Sequence, residues 1–296
     1  MPPGINAWVE QGKGRSPRIS WTTTTDAPLV AMRLARETGE LLAADETGAL
    51  YRIDPLGRIV SVTRAKSPIR RLVWSDTGNG GAMLVGDRTL YWFNEQLQFT
   101  GSMELVFRGV GLAIEAHGNY TSVSLGDTTN LIFDSNRKLL RYFSTSQPLS
   151  RLEFLLSQPA LIGIAEYGLL CCVDFNGQPQ WQEKLFGGVG DLAIQGVDEA
   201  ILLASYALGI QCHDLEGQQD GSYQVGGTAR QVAASLHASR IAVATQEGAI
   251  LWMNTSGQVL WSGQSPEELL SLACEAQGRG LICGFRSGRI SRIDWA

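Results

Sequence analysis

The segment Leu50-Tyr51-Arg52-Ile53-Asp54-Pro55-Leu56-Gly57 is one copy of a pattern that returns every forty residues. It reads as the end of a strand, an acidic corner, and a glycine at which the chain turns back. Asp or Asn stands at the same place in seven successive copies: Asp54, Asn94, Asp134, Asp174, Asp214, Asn254 and Asp294. A repeat of about 40 residues made of short strands is typical of a propeller blade.

Each repeat contains four strand-like segments, and the first has the pattern of the innermost strand. One column of this segment is apolar: Met32, Leu72, Leu112, Leu152, Leu192, Val232 and Leu272. The next column is mostly small: Arg33, Val73, Ala113, Glu153, Ala193, Ala233 and Ala273. Neighbouring strand residues point to opposite faces, so large side chains fall on one face and small ones on the other. This alternation suits a strand that packs against neighbouring sheets near a crowded axis.

The other three segments complete the blade. The second is nearly continuous in apolar or small residues, which indicates a strand buried on both faces. The third is the opening pattern, whose Asp or Asn is predicted to stabilise the following turn rather than to bind metal. The fourth carries Trp181 and Trp261 in one column. Glycines in register, at Gly48, Gly168, Gly248 and Gly288, indicate tight turns between the second and third strands.

The two ends of the chain complement each other. Counting back from Trp181 and Trp261 in steps of forty residues leads to Trp21. Residues 18–21 are therefore predicted to form a fourth strand without a blade of their own. The C-terminal Asp294 and Trp295 end a third strand without its fourth. We therefore predict an all-β, seven-bladed propeller with four antiparallel strands per blade, closed by the N-terminal strand. Closure removes the open edge of a linear stack.

The predicted boundaries describe a single domain over residues 1–296. Residues 1–16 are an N-terminal tail, and residues 17–26 are the closing outer strand of the last blade. The blades span about 27–66, 67–106, 107–146, 147–186, 187–226, 227–266 and 267–296. The segment from Ser265 to Leu270 also has the pattern of a helix start, with Ser as cap and Pro at the first position. The repeat register favours a strand there.

Composition limits the classes of function. Of the 296 residues, 24 are Lys or Arg and 29 are Asp or Glu, so the net charge is -5 and does not favour nucleic acid as a partner. Five cysteines and the absence of an apolar signal segment lead us to expect a cytoplasmic protein. No run of apolar residues reaches the length of a membrane helix. We expect a monomer.

The repeats resemble two related propeller families. The stretch Leu72-Val73-Trp74-Ser75-Asp76-Thr77-Gly78, followed by Thr89-Leu90-Tyr91-Trp92-Phe93-Asn94, is similar to a WD-repeat. The segments 168–177 and 248–257, with Trp181 and Trp261, resemble the PQQ-like (quinoprotein-type) repeat of bacterial type. The Gly-His pair and the Trp-Asp ending of WD-repeats are missing. The ligands that hold calcium and cofactor in quinoprotein dehydrogenases have no counterparts here, so the resemblance implies a propeller fold without PQQ.

The sequence favours no catalytic or metal chemistry. His117, His213 and His237 lie in different blades, and His213 falls in a core column, where a structural role is expected. Cys172 and Cys212 share a column of adjacent blades and are predicted to be buried small apolar residues. Hydrolase, nucleotide-binding and zinc-protease motifs are absent. We expect no cofactor and no metal, and whether the protein is an enzyme stays open, with the balance against it.

The end of the propeller that carries the blade-to-blade connections has the most varied residues. Varied loops on a repeated scaffold are where binding specificity is expected. Candidate binding residues at this mouth of the channel are Arg71, Arg151, Asp191, Tyr206 and Arg286. The favoured function is a non-catalytic scaffold that binds an unidentified protein or peptide. The alternative is binding of a small ligand or carbohydrate, or a propeller hydrolase or lyase with its site at the channel mouth.

Overall fold

The N-terminal part of the chain carries one short helix and two strands. The computed structural model describes residues 7–196 and 199–295. Helix α1 (Ala7–Glu10) is followed by β1 (Lys13–Gly14) and β2 (Arg18–Thr24). Among the residues described, no helix has the length and apolar character needed to cross a membrane.

The remaining strands form a ring of antiparallel sheets, one sheet for each repeat of the sequence. Blade 1 contains β3 (Leu29–Leu34), β4 (Leu41–Asp45), β5 (Ala49–Ile53) and β6 (Ile59–Arg64); blade 2 contains β7 (Ile69–Trp74), β8 (Gly80–Val85), β9 (Thr89–Asn94) and β10 (Phe99–Glu104); blade 3 contains β11 (Gly109–Ile114), β12 (Tyr120–Leu125), β13 (Thr129–Asp134) and β14 (Leu139–Ser144). Blade 4 contains β15 (Arg151–Phe154), β16 (Ala160–Ile164), β17 (Leu170–Asp174) and β18 (Pro179–Glu183); blade 5 contains β19 (Val189–Ile194), β20 (Ile201–Ser205), β21 (Gly209–His213) and β22 (Gln219–Tyr223). Blade 6 contains β23 (Ala229–Ala234), β24 (Arg240–Thr245), β25 (Ala249–Asn254) and β26 (Val259–Gln264); blade 7 contains β27 (Leu269–Cys274), β28 (Gly280–Phe285), β29 (Arg289–Asp294) and β2. The predicted seven-bladed propeller is confirmed.

The apolar core lies between neighbouring blades. Leu72 of blade 2, for example, packs with Leu42 and Leu50 of blade 1. At the other end of the chain, Ile290 of blade 7 packs with Met32 of blade 1. Because clusters of this kind join every blade to the next, the ring is held by burial of apolar surface on both faces of each sheet.

The first strand of each blade lies at the axis, as predicted. These strands contact each other around the ring, as β3 does with β7 and with β27. Strand β27 begins at Leu269, and no helix precedes it in residues 265–268, so the strand assignment favoured by the register is confirmed.

Strand β2 closes the ring by pairing antiparallel with β29, from Arg18 opposite Asp294 to Thr24 opposite Arg289. In the other six blades, the corner Asp or Asn accepts a backbone N–H from the residue four positions later: Arg58, Gln98, Lys138, Gln178, Gln218 and Gln258. The predicted turn-stabilising role is therefore confirmed in those blades. In blade 7, Asp294 accepts a hydrogen bond from the Ser20 hydroxyl of the closing strand β2.

Part of the segment predicted as an N-terminal tail is ordered against blade 6. Strand β1 extends the sheet of that blade, with Gly14 opposite Trp261. Trp8 of α1 is buried, and its ring centre lies 6.1 Å from that of Trp261 and 6.1 Å from that of Phe285. The segment thus covers apolar surface where blade 6 meets blade 7, which explains why Trp261 is fully buried although it lies on an outer strand.

Candidate functional site

The blade-to-blade connections and the turns between second and third strands lie together at one end of the propeller. Backbone hydrogen bonds join the two sets: Gly86 donates to the Pro68 carbonyl, and Tyr206 donates to the Gly188 carbonyl. We call this end the loop end. The first strands of the blades line an axial channel, which reaches from Asp191 near the loop end to Arg36, Asp76 and Leu156 at the other end.

Irregular strand pairing precedes two of the charged residues at the loop end. The register of β7 against β8 shifts between Ile69 and Arg71, and that of β19 against β20 shifts between Val189 and Asp191. A β-bulge inserts a residue and turns the side chains beside it. Arg71 and Asp191 directly follow their bulges, so the local strand geometry sets the direction in which both side chains leave the sheet.

Arg151 and Asp191 form an ion pair across blades 4 and 5. The Arg151 Nε donates to Asp191 Oδ1 over 3.1 Å, and Asp191 Oδ2 accepts the backbone N–H of Val232 over 3.3 Å. The Asp191 carboxylate of blade 5 is therefore held by hydrogen bonds from both neighbouring blades, 4 and 6. The structure thus brings two of the predicted site residues into direct contact.

Arg71 lies near this pair without a carboxylate of its own. Its Nε donates to the Val110 carbonyl over 3.2 Å, and its Nη1 donates to the Arg70 carbonyl over 3.2 Å. Burial lowers the pKa of Arg71 to about 10, with Arg151, Arg33 and Arg108 acting in the same direction. A guanidinium whose ionised form is disfavoured by burial and by other cations is a place where an added anion gains electrostatic energy.

Tyr206 stands beside the connection between blades 4 and 5. A β-carbon at Gly188 would lie 2.8 Å from Tyr206 Cδ2 and 3.3 Å from Tyr167 Cε1, so the two rings flank this glycine. Burial raises the pKa of Tyr206, as does the neighbouring Glu166. Phe186, in the same connection, is 80% exposed, Tyr167 is 63% exposed and Tyr206 is 38% exposed.

Arg286 is placed apart from the other four predicted residues. It lies in the turn between β28 and β29, its side chain is exposed, and its backbone N–H donates to the Glu268 carbonyl. Among the described residues, no hydrogen bond or ion pair links its side chain to Arg71, Arg151, Asp191 or Tyr206.

Four charged residues deeper in the channel were not among the predicted site residues. Arg33 and Glu153 line the channel from blades 1 and 4, and Arg36 and Asp76 lie further from the loop end. Arg36 donates to both carboxylate oxygens of Asp76, over 2.7 Å each. The signal for Arg33 and Glu153 was present in the sequence, because they are the two charged members, of opposite sign, in a column of otherwise small apolar residues.

His213 and the cysteines take structural positions, whereas His117 and His237 are exposed. His213 is buried, and its Nδ1 is 3.0 Å from the Gly217 carbonyl oxygen. All five cysteines are buried and unpaired, and burial raises the pKa of every thiol. Within residues 7–196 and 199–295, no three His, Cys, Asp or Glu side chains lie close enough to hold a metal ion.

The chain matches no protein-family model, and no curated protein matches its sequence.

Proposed function

We propose that this chain is a non-catalytic protein-binding platform that holds its partner at the loop end. The observation that supports this most directly is the exposed aromatic patch of Tyr167, Phe186 and Tyr206. Aromatic side chains contribute much of the binding energy in protein interfaces. Phe186 is 80% exposed and lies two residues before Gly188, which the rings of both tyrosines flank. Three such rings at one blade junction form a site for an apolar side chain of a partner.

Charge at the loop end determines the chemistry of the proposed partner. Arg70, Arg108 and Arg230 belong to the loop end, as do Arg71 and Arg151, whereas the whole chain has a net charge of -5. Both Arg151 and Arg230 act on the ionisation of Tyr206, so the cations border the aromatic patch. A partner segment with an apolar side chain flanked by Asp or Glu is complementary to this arrangement. Arg suits such contacts because its planar fork binds carboxylates through two hydrogen bonds.

A second group of exposed apolar residues lies two connections away from the aromatic patch along the ring. Val106 and Phe107 are exposed in the connection between blades 2 and 3, directly before Arg108. Exposed apolar residues at two connections support a partner that extends over several blades. We also propose that the repeats belong with the WD-repeat and PQQ-like propellers. A reducing cytoplasm is the proposed compartment, supported by five unpaired cysteines.

The experiment is a selection of displayed random peptides on the purified protein, followed by affinity measurements. We expect selected peptides to combine acidic residues with one aromatic or long aliphatic residue. Phe186→Ser and Arg230→Glu should each weaken binding of a selected peptide at least about tenfold, since each removes a central contact. The matched controls are Tyr142→Ser, at an exposed aromatic residue on the outer strand of blade 3, and Arg279→Glu, in an exposed turn of blade 7.

Two outcomes would refute the proposal. One is a selection without enrichment of acidic and apolar residues. The other is equal loss of affinity in the patch variants and in the controls. Charge reversal at Arg151 is not a clean test, because a glutamate there would face Asp191 and destabilise the blade junction itself.

A further inference from the structure

The outer strand of blade 1 is an open sheet edge with exposed apolar side chains. Strand β6 ends the sheet order β3-β4-β5-β6, and no other described strand pairs with its free edge. Ile59, Val60 and Val62 are 42%, 47% and 52% exposed. An apolar edge strand with free backbone groups is a template for pairing with another chain.

The backbone groups of Val62 and Arg64 point away from the sheet. The Ala65 N–H donates to the Gly48 carbonyl, so these two residues face each other as a hydrogen-bonded pair. Strands β5 and β6 continue in the same register, and hydrogen-bonded pairs alternate along an antiparallel ladder. Residues 61 and 63 therefore bond to β5. The N–H and C=O groups of Val62 and Arg64 are directed outwards, where a further strand can reach them.

Strand β1 shows how such an edge is used, in blade 6. It runs antiparallel to β26 and pairs with Ser262, and the Arg15 N–H donates to the Leu260 carbonyl. Leu260 and Ser262 have the same positions in the repeat of blade 6 as Val60 and Val62 have in blade 1. The protein thus pairs its own chain with the edge of blade 6 at the positions that stay open in blade 1.

The other outer strands are less suited to such pairing. The residues at the positions of Val60 and Val62 in blades 2, 3, 4, 5 and 7 are Thr100 and Ser102, Leu140 and Tyr142, Gln180 and Gln182, Asp220 and Ser222, and Ser20 and Thr22. Blade 1 alone has an apolar β-branched residue at both positions, and such side chains suit a pleated, half-buried surface. Blade 3 has the most similar edge and therefore supplies the matched control.

Basic residues flank the open edge. Arg64 and Lys66 are exposed, and neither forms an ion pair within the described part of the chain. Arg58, at the other end of the strand, is already paired with Asp54. Pairing of β6 with β6 of a second copy would bring the cations of both chains together, which is unfavourable. In an antiparallel partner, the residues before the one opposite Val62 lie next to Arg64 and Lys66, so acidic residues there are complementary.

We propose that β6 binds an extended segment of another protein as an added outer strand of blade 1. The segment runs antiparallel to β6, with acidic residues opposite Arg64 and Lys66 followed by aliphatic residues opposite Val62 and Val60. Backbone hydrogen bonds at the edge supply affinity, and the side chains select the sequence. The aromatic patch lies at the junction of blades 4 and 5, so this inference does not rest on binding at the loop end.

The probe is the capped peptide Glu-Thr-Glu-Thr-Val-Thr-Val, and the same peptide with Lys in place of both Glu residues is the charge control. Fluorescence anisotropy of the labelled peptides measures their affinity for the full chain. Hydrogen exchange followed by mass spectrometry reports protection of the backbone in β6. We expect the acidic peptide to bind at least about tenfold more tightly than the Lys peptide and to slow exchange at Val62 and Arg64.

Methylation of single peptide nitrogens tests the strand pairing itself. Only every second residue of an antiparallel partner directs its N–H towards β6. A methyl group on the nitrogen of the first Val should weaken binding at least about tenfold, because it removes a hydrogen bond and blocks close approach. The same methyl group on the nitrogen of the preceding Thr points away from β6 and should have little effect. Equal effects at the two nitrogens, or the opposite order, overturn the proposal.

Substitutions in the protein supply a second test. Val62→Asp places a carboxylate at the centre of the edge and should weaken binding of the acidic peptide at least about tenfold. Tyr142→Asp, at the same repeat position of blade 3, is the control and should change nothing. If Val62→Asp fails to fold, as judged by circular dichroism, Arg64→Glu at the exposed end of the strand decides. Full affinity in the variant overturns the proposal. Self-association of the full chain that Val62→Asp abolishes would also overturn it, because the edge would then belong to a second copy.

Discussion

The indole ring of Trp21 lies against Gly57. A β-carbon at residue 57 would be 2.6 Å from the ring, and the Trp21 Nε1 donates to the Pro55 carbonyl over 3.0 Å. The contact joins the closing strand β2 to the turn after β5, and therefore blade 7 to blade 1. Trp181 and Gly217 repeat the contact between blades 4 and 5, with the Trp181 Nε1 2.6 Å from the Leu215 carbonyl oxygen. At both junctions, a tryptophan of an outer strand packs on a glycine of the next blade and donates a hydrogen bond to that blade.

Gly57→Ala should destabilise the protein by about 3 kcal/mol. Residue 57 has a φ of 83°, which costs a residue with a β-carbon about 1–2 kcal/mol, and the methyl group would also displace the Trp21 ring. Chemical denaturation of the purified variant measures the change in the free energy of unfolding.

Two further glycines separate these two effects. Gly187 has a φ of 99°, and a β-carbon added there would meet no atom within 4 Å, so Gly187→Ala should show only the backbone cost of about 1 kcal/mol. Gly221 has open space and an ordinary backbone, so Gly221→Ala should stay within about 0.5 kcal/mol of the parent. Equal effects at all three glycines would show that the packing of Trp21 on Gly57 does not contribute to stability.

Removal of residues 1–25 should expose the edge of β29 and cause aggregation, or lower the melting temperature by more than about 10 °C. Removal of residues 1–16 leaves β2 in place and uncovers the apolar surface at Trp261 and Phe285, so the loss should be smaller. Differential scanning calorimetry of the two truncated proteins and the full chain gives the order of their melting temperatures. A protein without residues 1–25 that melts with the full chain would contradict closure by β2.

Glu153→Gln should stabilise the protein at high pH. The pKa of Glu153 is raised from 4.5 to about 7 in the folded state, so the folded state binds the proton more tightly than the unfolded chain. The resulting contribution is fully present below pH 4.5 and is lost as pH rises through about 7. Ionisation then costs up to about 3 kcal/mol, at about 1.4 kcal/mol per pKa unit, and the variant avoids it.

The measurement is the difference in unfolding free energy between Glu153→Gln and the parent, followed from pH 5 to pH 9. The difference should grow with pH and level off above the folded pKa. A difference that is constant over this range would show that the Glu153 carboxyl group does not titrate with a raised pKa.

Arg36→Met should destabilise the protein by about 2–4 kcal/mol, because it leaves the Asp76 carboxylate in the channel without its two hydrogen bonds. The double change Arg36→Met with Asp76→Leu should recover most of the loss. The control is Arg88→Met, which breaks an exposed ion pair with Glu104 and should change stability by less than about 1 kcal/mol. Thermal melts of all four proteins test this, and the prediction fails if the double variant is no more stable than Arg36→Met.

The sequence predicted the ring well because one period controls it. Asp54 and its six equivalents fix where each third strand ends. Trp21 has the same position in the repeat as Trp181 and Trp261, so closure could be derived without coordinates. Residues 7–14 have no counterparts in the other repeats, and the period therefore contained no information about α1 and β1.

The channel could not be derived in the same way. Arg33 and Glu153 are 120 positions apart, and a column of a repeat shows which residues share a position but not which of them meet across the axis. Arg151 and Asp191 also share one column, forty residues apart, and the column does not show which neighbouring members form an ion pair.

Closure by β2 also has a consequence for the order of events during biosynthesis. Blades 1 to 6 each consist of neighbouring residues and can form as the ribosome delivers them. Residues 18–24 leave the ribosome well before residues 289–294, with which they pair. Strand β2 therefore stays unpaired while blades 1 to 6 are made. Threonine, serine and arginine supply most of β2, and these polar residues keep that waiting strand compatible with water until its partner is made.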